Sequence, residues 1–300
     1  MNSDGTRSST IRPHRPRRRF GQHFLTDDAI LAGIAELVDP TDTEAVLEIG
    51  PGTGALTNHL LQRLERLVAV EIDRDLLAEL EKRFGTDSRL RLLEGDVLKV
   101  DLPTILREEG KERLIIVGNI PYNITAPLLF RLIAHFDIVS KAVLTVQKEV
   151  AQRLSSKPGS RDYGLLSVLL GTRAQVESRI DVDRSRFRPA PRVDSAVIEI
   201  DIARAPLVSI QDPRGFERLV RAAFSQRRKM LRNGLKVLSV TAGEETSSEA
   251  ALEWLHTGAE RAGIDLTRRA ETLSIEEFAT LSNSLYPADR ASSAAEESAR

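Results

Sequence analysis

Short apolar runs alternate with longer amphipathic stretches from residue 27 to about residue 200. The apolar runs predict strands at residues 45–49, 67–72, 89–93, 113–118, 140–146, 174–180 and 194–202. The amphipathic stretches predict helices at residues 27–38, 54–65, 74–84, 124–134, 147–155 and 164–172. This alternation predicts an α/β fold, with a mostly parallel seven-stranded sheet covered by helices on both faces. No helix separates the last two strands, which we therefore expect to pair antiparallel.

After residue 203 the helical pattern continues without strands. Helices are predicted at residues 213–238, 248–262 and 275–284, the last beginning with a capping box of Ser274 and Glu277. We therefore predict an α/β domain at residues 20–203 and a small all-helical domain at residues 204–286. The Arg-rich residues 1–19 and the polar residues 287–300 are predicted to be a disordered arm and tail.

The composition is that of a globular chain and excludes several kinds of site. Of the 300 residues, 41% are apolar, which is enough for a substantial core. There is no cysteine, and the five histidines show no metal-ligand spacing, so we expect no bound metal. The apolar runs are too short to span a membrane, and the N-terminus lacks the apolar part of a signal peptide. We expect a cytoplasmic protein.

Positive charge is concentrated in two segments, although the net charge of the chain is −1. Residues 1–20 contain six Arg and one Asp, and residues 204–236 contain nine Lys or Arg and two acids. This distribution favours a polyanion bound on one face. On a predicted helix from Ala223 to Lys236, the residues expected to contact RNA phosphates are Arg227, Arg228, Lys229 and Arg232. The alternative is a solvated helical face.

A glycine-rich loop follows the first strand of the predicted sheet, and we expect it to bind a cofactor. Gly50, Gly52 and Gly54 lie between that strand and a helix, and Glu71 ends the next strand, where its carboxylate could accept both ribose hydroxyls. The loop also fits the dinucleotide fingerprint, so NAD is a rival ligand. Asp96 after the third strand favours S-adenosylmethionine, because enzymes that bind this cofactor often place an acid or amide there.

The sequence Asn119-Ile-Pro121-Tyr122 follows the fourth strand and indicates amino-group methylation. An exocyclic amine is a poor nucleophile because its lone pair is delocalised into the ring. The Asn119 side-chain oxygen and the Pro121 carbonyl oxygen could accept both amine hydrogens and favour a pyramidal nitrogen. Tyr122 offers a face on which a base can stack. The alternative is an ordinary turn, for which Asn and Pro are common residues.

Together these motifs resemble the KsgA/RsmA family of ribosomal RNA adenine dimethyltransferases. The resemblance extends over about residues 18–285. Besides the motifs above, it rests on Arg19–Leu25, Val146–Val150, Tyr163-Gly164, Phe187–Ala196 and Ala223–Lys229.

The resemblance implies a class I methyltransferase fold with a helical domain that docks on RNA. It implies transfer of two methyl groups from S-adenosylmethionine to N6 of each of two adjacent adenines. Those adenines lie in the 3′-terminal hairpin loop of 16S rRNA, and the expected partner is the immature 30S subunit, bound by a monomer. The resemblance implies that the cofactor is bound by His23, Leu25, Gly50, Glu71, Asp96 and Asn119. The glycine loop adds Gly52 to this set. Many members carry Asn where this chain has His23.

In the mechanism that we expect, the target adenine stacks on Tyr122 and Phe187 closes on its other face. The alternative for Phe187 is a core aromatic beside two prolines. Positioning and electrostatics would supply most of the rate, without a general base. Two other functions stay open, an NAD-linked oxidoreductase and a mainly non-catalytic ribosome-assembly factor. The Phe-Gly-Gln-His-Phe-Leu and Phe-Ser-Gln-Arg-Arg-Lys blocks disfavour an Erm-type enzyme acting on large-subunit rRNA.

Overall fold

The computed structural model describes residues 22–239 and 248–287. The predicted arm at residues 1–19, and the predicted tail beyond residue 287, lie outside the described residues. The strands are β1 Phe24–Leu25, β2 Glu44–Ile49, β3 Leu67–Glu71, β4 Leu90–Glu94, β5 Arg113–Asn119, β6 Val139–Gln147, β7 Ala174–Val182, β8 Phe187–Arg188 and β9 Ser195–Ile202. The helices before residue 203 are α1 Asp28–Leu37, α2 Ala55–Leu61, α3 Arg74–Phe84, α4 Leu102–Glu108, α5 Thr125–Ala134, α6 Lys148–Leu154 and α7 Leu165–Gly171.

Seven of these strands form one mostly parallel sheet in the order β4-β3-β2-β5-β6-β9-β7. Strands β2 to β6 pair in parallel, and β9 pairs antiparallel with both β6 and β7. The predicted fold class and the antiparallel pairing of the last two strands are therefore confirmed. The pair β1–β8 forms a separate two-stranded sheet that the sequence pattern did not predict.

The continuous apolar strands reflect a sheet that is covered on both faces. In β2, Leu47 and Ile49 belong to one buried cluster with α4 and α5, whereas Val46 belongs to another with α1 and α2. Successive side chains of a strand point to opposite faces, so both faces need apolar residues. Helix α4 was not predicted because it is only seven residues long and has Pro103 in its first turn, capped by Asp101.

The C-terminal part consists of α8 Pro213–Ser225, α9 Leu231–Leu235, α10 Ser248–Ala262 and α11 Ile275–Leu285. The predicted single helix at residues 213–238 is wrong, because the chain turns between α8 and α9. Gly234 permits the close packing that follows, since a Cβ there would lie 2.5 Å from the Ala222 carbonyl oxygen. The predicted capping box is confirmed by hydrogen bonds between Ser274 and Glu277 in both directions.

A third buried cluster joins these C-terminal helices to α7. Tyr163 and Val168 pack there with Phe278 and with residues of α8 and α9. This core therefore draws on both sides of the predicted domain boundary at residue 203, and that division stays a prediction. None of the helices in the described residues has the length and apolarity that a membrane span requires.

Candidate active site

The C-terminal ends of the four adjacent strands β2, β3, β4 and β5 meet at one edge of the sheet, where α/β folds bind ligands. A cavity opens there, between these strand ends and the segment before α1. It brings together eight of the predicted site residues, namely His23, Gly50, Gly52, Glu71, Asp96, Asn119, Pro121 and Tyr122. They lie up to 99 residues apart in the sequence, from His23 to Tyr122.

The backbone of the glycine loop favours glycine at three alternate positions. Gly50, Gly52 and Gly54 have φ angles of 60°, 58° and 77°, in the left-handed region that other residues rarely adopt. A Cβ on Gly52 would lie 2.9 Å from the Phe24 ring, and one on Gly54 would lie 2.6 Å from the Phe84 ring. The loop therefore combines an unusual backbone with close packing, and it leaves backbone atoms exposed to a ligand in the cavity.

Glu71 presents a buried carboxylate to the cavity. Its side chain is 3% exposed, and its two oxygens accept hydrogen bonds from the backbone N–H groups of Gly52 at 3.0 Å and Asp73 at 2.9 Å. Burial raises the pKa of Glu71, while these N–H donors act in the opposite direction. Because a carboxylate can accept about four hydrogen bonds, Glu71 keeps acceptor capacity for a ribose hydroxyl. The site thus fits the nucleoside part of S-adenosylmethionine.

A second acid lies beneath the glycine loop and was not predicted to have a role of its own. Glu48 is 1% exposed, and its Oε2 atom accepts a 2.7 Å hydrogen bond from the Thr57 hydroxyl. Burial is the main cause that raises the pKa of Glu48 to about 8. A largely neutral carboxyl group therefore ties β2 to helix α2 across the loop. The signal in the sequence was an acid inside an otherwise apolar strand.

Asp96 lines the cavity at the end of β4, as predicted. Its Oδ1 atom accepts a 2.9 Å hydrogen bond from the backbone N–H of Leu98, which forms a local turn. Its side chain is 30% exposed, and Oδ2 lies 3.9 Å from the Lys99 ammonium group. The local turn fixes the carboxylate at the cavity wall, so this turn and a contact with an adenine are compatible.

The orientation of Asn119 is set by a contact across the site. Its Nδ2 atom donates a 2.7 Å hydrogen bond to the backbone carbonyl of His23. This bond uses one of the two N–H donors of the amide and fixes its orientation, and Oδ1 accepts no hydrogen bond among the described residues. The nearby Pro121 carbonyl accepts a 3.0 Å bond from the Ile124 N–H, which leaves one of its two lone pairs.

Tyr122 is held from two directions. Its hydroxyl lies 2.7 Å from the hydroxyl of Ser195, which is fully buried at the start of β9. Its ring is stacked on the His23 ring, with centroids 5.9 Å apart and planes inclined by 24°. Burial raises the pKa of Tyr122 above its ordinary value. Ser195 was missed in the sequence, where a single Ser beside a strand carries no distinguishing signal.

Two predicted site residues do not line the cavity. Phe187 is 0% exposed and Leu25 is 4% exposed, and both belong to the buried cluster on the α1 side of the sheet. They face each other in the β1–β8 pair. The structure places Phe187 in the core, as in the alternative interpretation of this residue. The aromatic ring that does line the cavity here is that of Phe24, against Gly52.

The sequence of this chain was compared with those of known protein families. Residues 13–286 match a family model described as ribosomal RNA adenine dimethylase. The chain belongs to that family.

Relatives of this dimethylase match almost its whole length. "Ribosomal RNA small subunit methyltransferase A" of Leptothrix cholodnii is 45% identical over 269 residues, covering 89% of this chain and 91% of the relative. The protein of that name from Pseudomonas aeruginosa is 40% identical, covering 92% and 97%. A solved dimethyladenosine transferase from Plasmodium falciparum is 27% identical with a TM-score of 0.70, covering 86% and 96%.

These matches confirm the predicted enzyme class and cofactor, a ribosomal RNA adenine dimethyltransferase that uses S-adenosylmethionine. They exclude the NAD-linked oxidoreductase that the glycine loop alone had left open. The 23S rRNA methyltransferase ErmE has the same fold, with a TM-score of 0.63 and 24% identity over 87% of this chain.

The dimethylase has a second, strongly basic cleft at the junction of α6, α7 and the turn between α8 and α9. Among its lining residues are five arginines and two acids: Arg153, Arg161, Arg227, Arg228, Arg269, Asp162 and Glu271. Of the four residues predicted to contact RNA, Arg228, Lys229 and Arg232 are exposed. They lie in or just after a turn, and the predicted continuous helix under them is wrong.

Arg227 differs from the other three because its guanidinium group braces the fold. Its Nη2 atom donates to the backbone carbonyls of Arg161 and, at 2.8 Å, of Tyr163. Its Nε atom lies 3.3 Å from a carboxylate oxygen of Glu271. These contacts connect the segment before α7 to the turn that carries Arg228.

Proposed function

We propose that this dimethylase methylates N6 of two adjacent adenines in the 3′-terminal hairpin loop of 16S rRNA, within the immature 30S subunit. Support for the small subunit comes from the names of its relatives, which are 40% and 45% identical over about nine-tenths of the chain. We further propose that it acts in the cytoplasm as a monomer and without a metal ion.

The observation that carries the proposed chemistry is the anchored amide of Asn119. With Nδ2 bound to the His23 carbonyl, Oδ1 can accept one N6 hydrogen of a target adenine. The free lone pair of the Pro121 carbonyl can accept the other. Both acceptors then favour a pyramidal nitrogen whose lone pair is available for attack. An acceptor that is oriented in advance stabilises the transition state without a reorganisation cost.

Other cavity residues position the two reactants. Gly50, Gly52, Glu71 and Asp96 would hold the cofactor, which supplies an electrophilic methyl group on a sulfonium sulfur. The Tyr122 ring, fixed through Ser195, offers a flat face for the extruded adenine. The proton of the methylated amine becomes acidic only when the new bond forms. We therefore assign no residue as a general base.

Two predicted site residues keep an indirect part in this proposal. Phe187 and Leu25 form the β1–β8 pair, and β1 follows His23 directly. Their burial fixes the position of the His23 carbonyl and so of the Asn119 amide. A role of Phe187 as the second stacking face requires the side chain to leave the core when the adenine binds.

We propose that the exposed residues Arg228, Lys229 and Arg232 contact phosphates of the rRNA, beside the arginines of the basic cleft. Arg227, included in the same prediction, has its Nε and Nη2 atoms bound within the protein. Its contribution to RNA binding is then mainly to hold the turn in place. Replacing Arg228 and Lys229 by Gln is expected to raise KM with little change in kcat.

The deciding experiment is methyl transfer from labelled S-adenosylmethionine to immature 30S particles by wild type and by Asn119→Ala. Loss of one oriented acceptor is expected to lower kcat by about 10²-fold to 10³-fold. Asn123→Ala is the matched control, because Asn123 also lines the cavity and is exposed. Wild-type activity in Asn119→Ala would remove this residue from the mechanism. Mass spectrometry of 16S rRNA from a deletion strain would locate the modified adenines.

A further inference from the structure

Residues Arg184–Val193, here called the mouth segment, connect β7 to β9 beside the cavity. Strand β8 within it pairs with β1, which places Arg188 opposite Phe24. The Pro189 carbonyl oxygen lies 2.7 Å from the Nδ1 atom of His23. Both His23 and Phe24 line the cavity. The mouth segment therefore lies directly behind one wall of the site that receives the adenine.

The mouth segment is held firmly in this position. The backbone N–H of Thr26 donates to the Arg186 carbonyl at 2.9 Å. The N–H of Lys148 donates to the carbonyl of Asp194, which follows the segment, at 3.0 Å. The Asp194 side chain accepts a 3.1 Å bond from the N–H of Arg184. The pairing with β1 and the bonds to Thr26 and Asp194 thus fix the backbone before any RNA binds, and Asp194 is in turn bound to α6.

Positive charge on the mouth segment exceeds the negative charge of the acids that flank it. It carries four arginines and no acid, and only Arg186 forms an ion pair among the described residues, at 2.7 Å from Asp27. Arg184, Arg188 and Arg192 are exposed. The flanking acids Asp183 and Asp194 accept backbone N–H groups, and Asp183 also attracts Arg184 and Arg186 electrostatically. The four arginines with these two acids still leave a net charge of +2.

Two of the free arginines are oriented by neutral partners. Nη1 of Arg184 donates to the Arg192 carbonyl at 3.3 Å, and Nη1 of Arg188 donates to the Ser185 carbonyl at 2.9 Å. A carbonyl orients a guanidinium group without cancelling its charge. A guanidinium group carries five N–H donors. Most donors of Arg184 and Arg188 therefore remain available, and the planar fork of a guanidinium group matches the geometry of a phosphate.

We propose that the mouth segment binds the rRNA backbone on either side of the target adenine, through Arg184, Arg188 and Arg192. This inference rests on the proposed function. A base that enters the cavity keeps its own phosphates outside, next to the wall that the mouth segment supports. Phosphate contacts there would hold the extruded nucleotide in register, and they would be separate from those of the basic cleft on the C-terminal helices. The exposed side chain of Val193, 43% accessible, offers an apolar contact to a neighbouring base.

The test compares three variants on immature 30S particles over a range of salt concentrations. R184Q/R188Q/R192Q removes the charge, and R184K/R188K/R192K keeps it. R63Q/K82Q/R107Q is the matched control, since these exposed residues form no ion pair among the described residues and do not line the cavity. Each exposed contact contributes about a factor of two, so the Gln variant should raise KM about tenfold. The slope of log KM against log salt should fall by about 2, at about 0.7 for each lost phosphate contact.

The expected result further includes an unchanged kcat at saturation and unchanged S-adenosylmethionine binding by calorimetry. The Lys variant should keep the wild-type salt slope, because it keeps the charge, and its KM should rise less than that of the Gln variant, because only the fork geometry is lost. Two results would overturn the inference while wild type methylates normally. One is a Gln variant whose KM and salt slope match those of the R63Q/K82Q/R107Q control. The other is a Lys variant as impaired as the Gln variant with an unaltered salt slope, which would show a purely structural role. Failure of wild type itself to methylate the particles would instead refute the proposed function.

Discussion

Replacing Asn119 by Asp is the sharpest test of how the site prepares its nucleophile. The substitution keeps an oxygen that could accept a hydrogen from N6, and it changes the volume little. It removes the N–H that donates to the His23 carbonyl at 2.7 Å and places a second oxygen there instead. If the anchored amide is what orients the acceptor, an Asp cannot substitute for Asn in this enzyme.

The magnitude follows from this contact. Loss of a hydrogen bond costs about 1 kcal/mol, and an acceptor left facing another acceptor adds about 1 kcal/mol at a half-buried position. A total of about 2 kcal/mol, expressed in the transition state, corresponds to about a 30-fold fall in kcat. Below neutral pH the introduced carboxyl group can regain a proton and donate it to His23. N119D should therefore recover part of its activity as the pH is lowered, and wild type should not.

The assay is single-turnover methyl transfer to immature 30S particles with both substrates saturating, repeated across pH. N123D is the matched control, because it introduces the same charge at the same cavity without a hydrogen bond to His23. The reasoning would be refuted if N119D retained nearly full activity, or if N123D lost as much as N119D. The first result would show that orientation of the amide is unimportant, and the second that charge alone explains the loss.

Three further predictions follow from the surrounding contacts. Tyr122→Phe and Ser195→Ala each remove the 2.7 Å hydroxyl contact, so each should slow methyl transfer about fivefold, and the double variant should lose no more than either single variant. Gly118→Ala should lower the free energy of unfolding by about 1–3 kcal/mol, because its Cβ would lie 2.5 Å from the Ile49 carbonyl oxygen. The pKa of Glu48 is raised from 4.5 to about 8 in the folded protein, mainly by burial, so between these values folding binds a proton. Stability should therefore decline as the pH rises from about 4.5 to about 8 and level off above that, whereas Glu48→Gln should remove this decline.

For each of these three predictions, one experimental result would contradict the reasoning. Additive losses in the double variant would mean that Tyr122 and Ser195 act independently. For Gly118, the comparison is Gly164→Ala in urea unfolding, since the nearest atom to a Cβ at Gly164 is 3.9 Å away. Equal effects of the two substitutions would contradict the packing argument. For Glu48, melting temperatures that depend on pH in the same way in wild type and Glu48→Gln would exclude this carboxyl as the cause.

The two basic regions illustrate how one residue type serves different purposes. The N–H groups of Arg227 donate to two backbone carbonyls and to Glu271, so this residue stabilises a turn. Arg184 and Arg188 are also oriented by carbonyls, yet they remain exposed and without an ion pair among the described residues. The sequence alone presents all of them as arginines in short basic segments. The ion pair with Glu271 and the lower exposure of Arg227 distinguish it, as a residue that stabilises a turn, from the exposed arginines that can bind a polyanion.

Local pattern was sufficient for the sheet, for the glycine loop and for the Asn119–Tyr122 turn, since each depends on residues close together in the chain. The apolar runs had to be strands because a sheet covered on both faces needs apolar side chains at successive positions. The same reasoning failed where local signals were weak. Helix α4 is short, and residues 226–230 continue a helical pattern although the chain turns there to pack Gly234 against α8.

What the chain alone determined, therefore, is which residues could take part in the chemistry, because their types and their order after each strand are local properties. Which of them face the cavity depended on the tertiary structure. Phe24 lines the site and Phe187 lies in the core, although both are aromatic residues in the motifs that carry the family resemblance. The orientation of Asn119 comes from a carbonyl 96 residues earlier in the chain. A contact of that kind forms only when the complete sheet brings the two segments together.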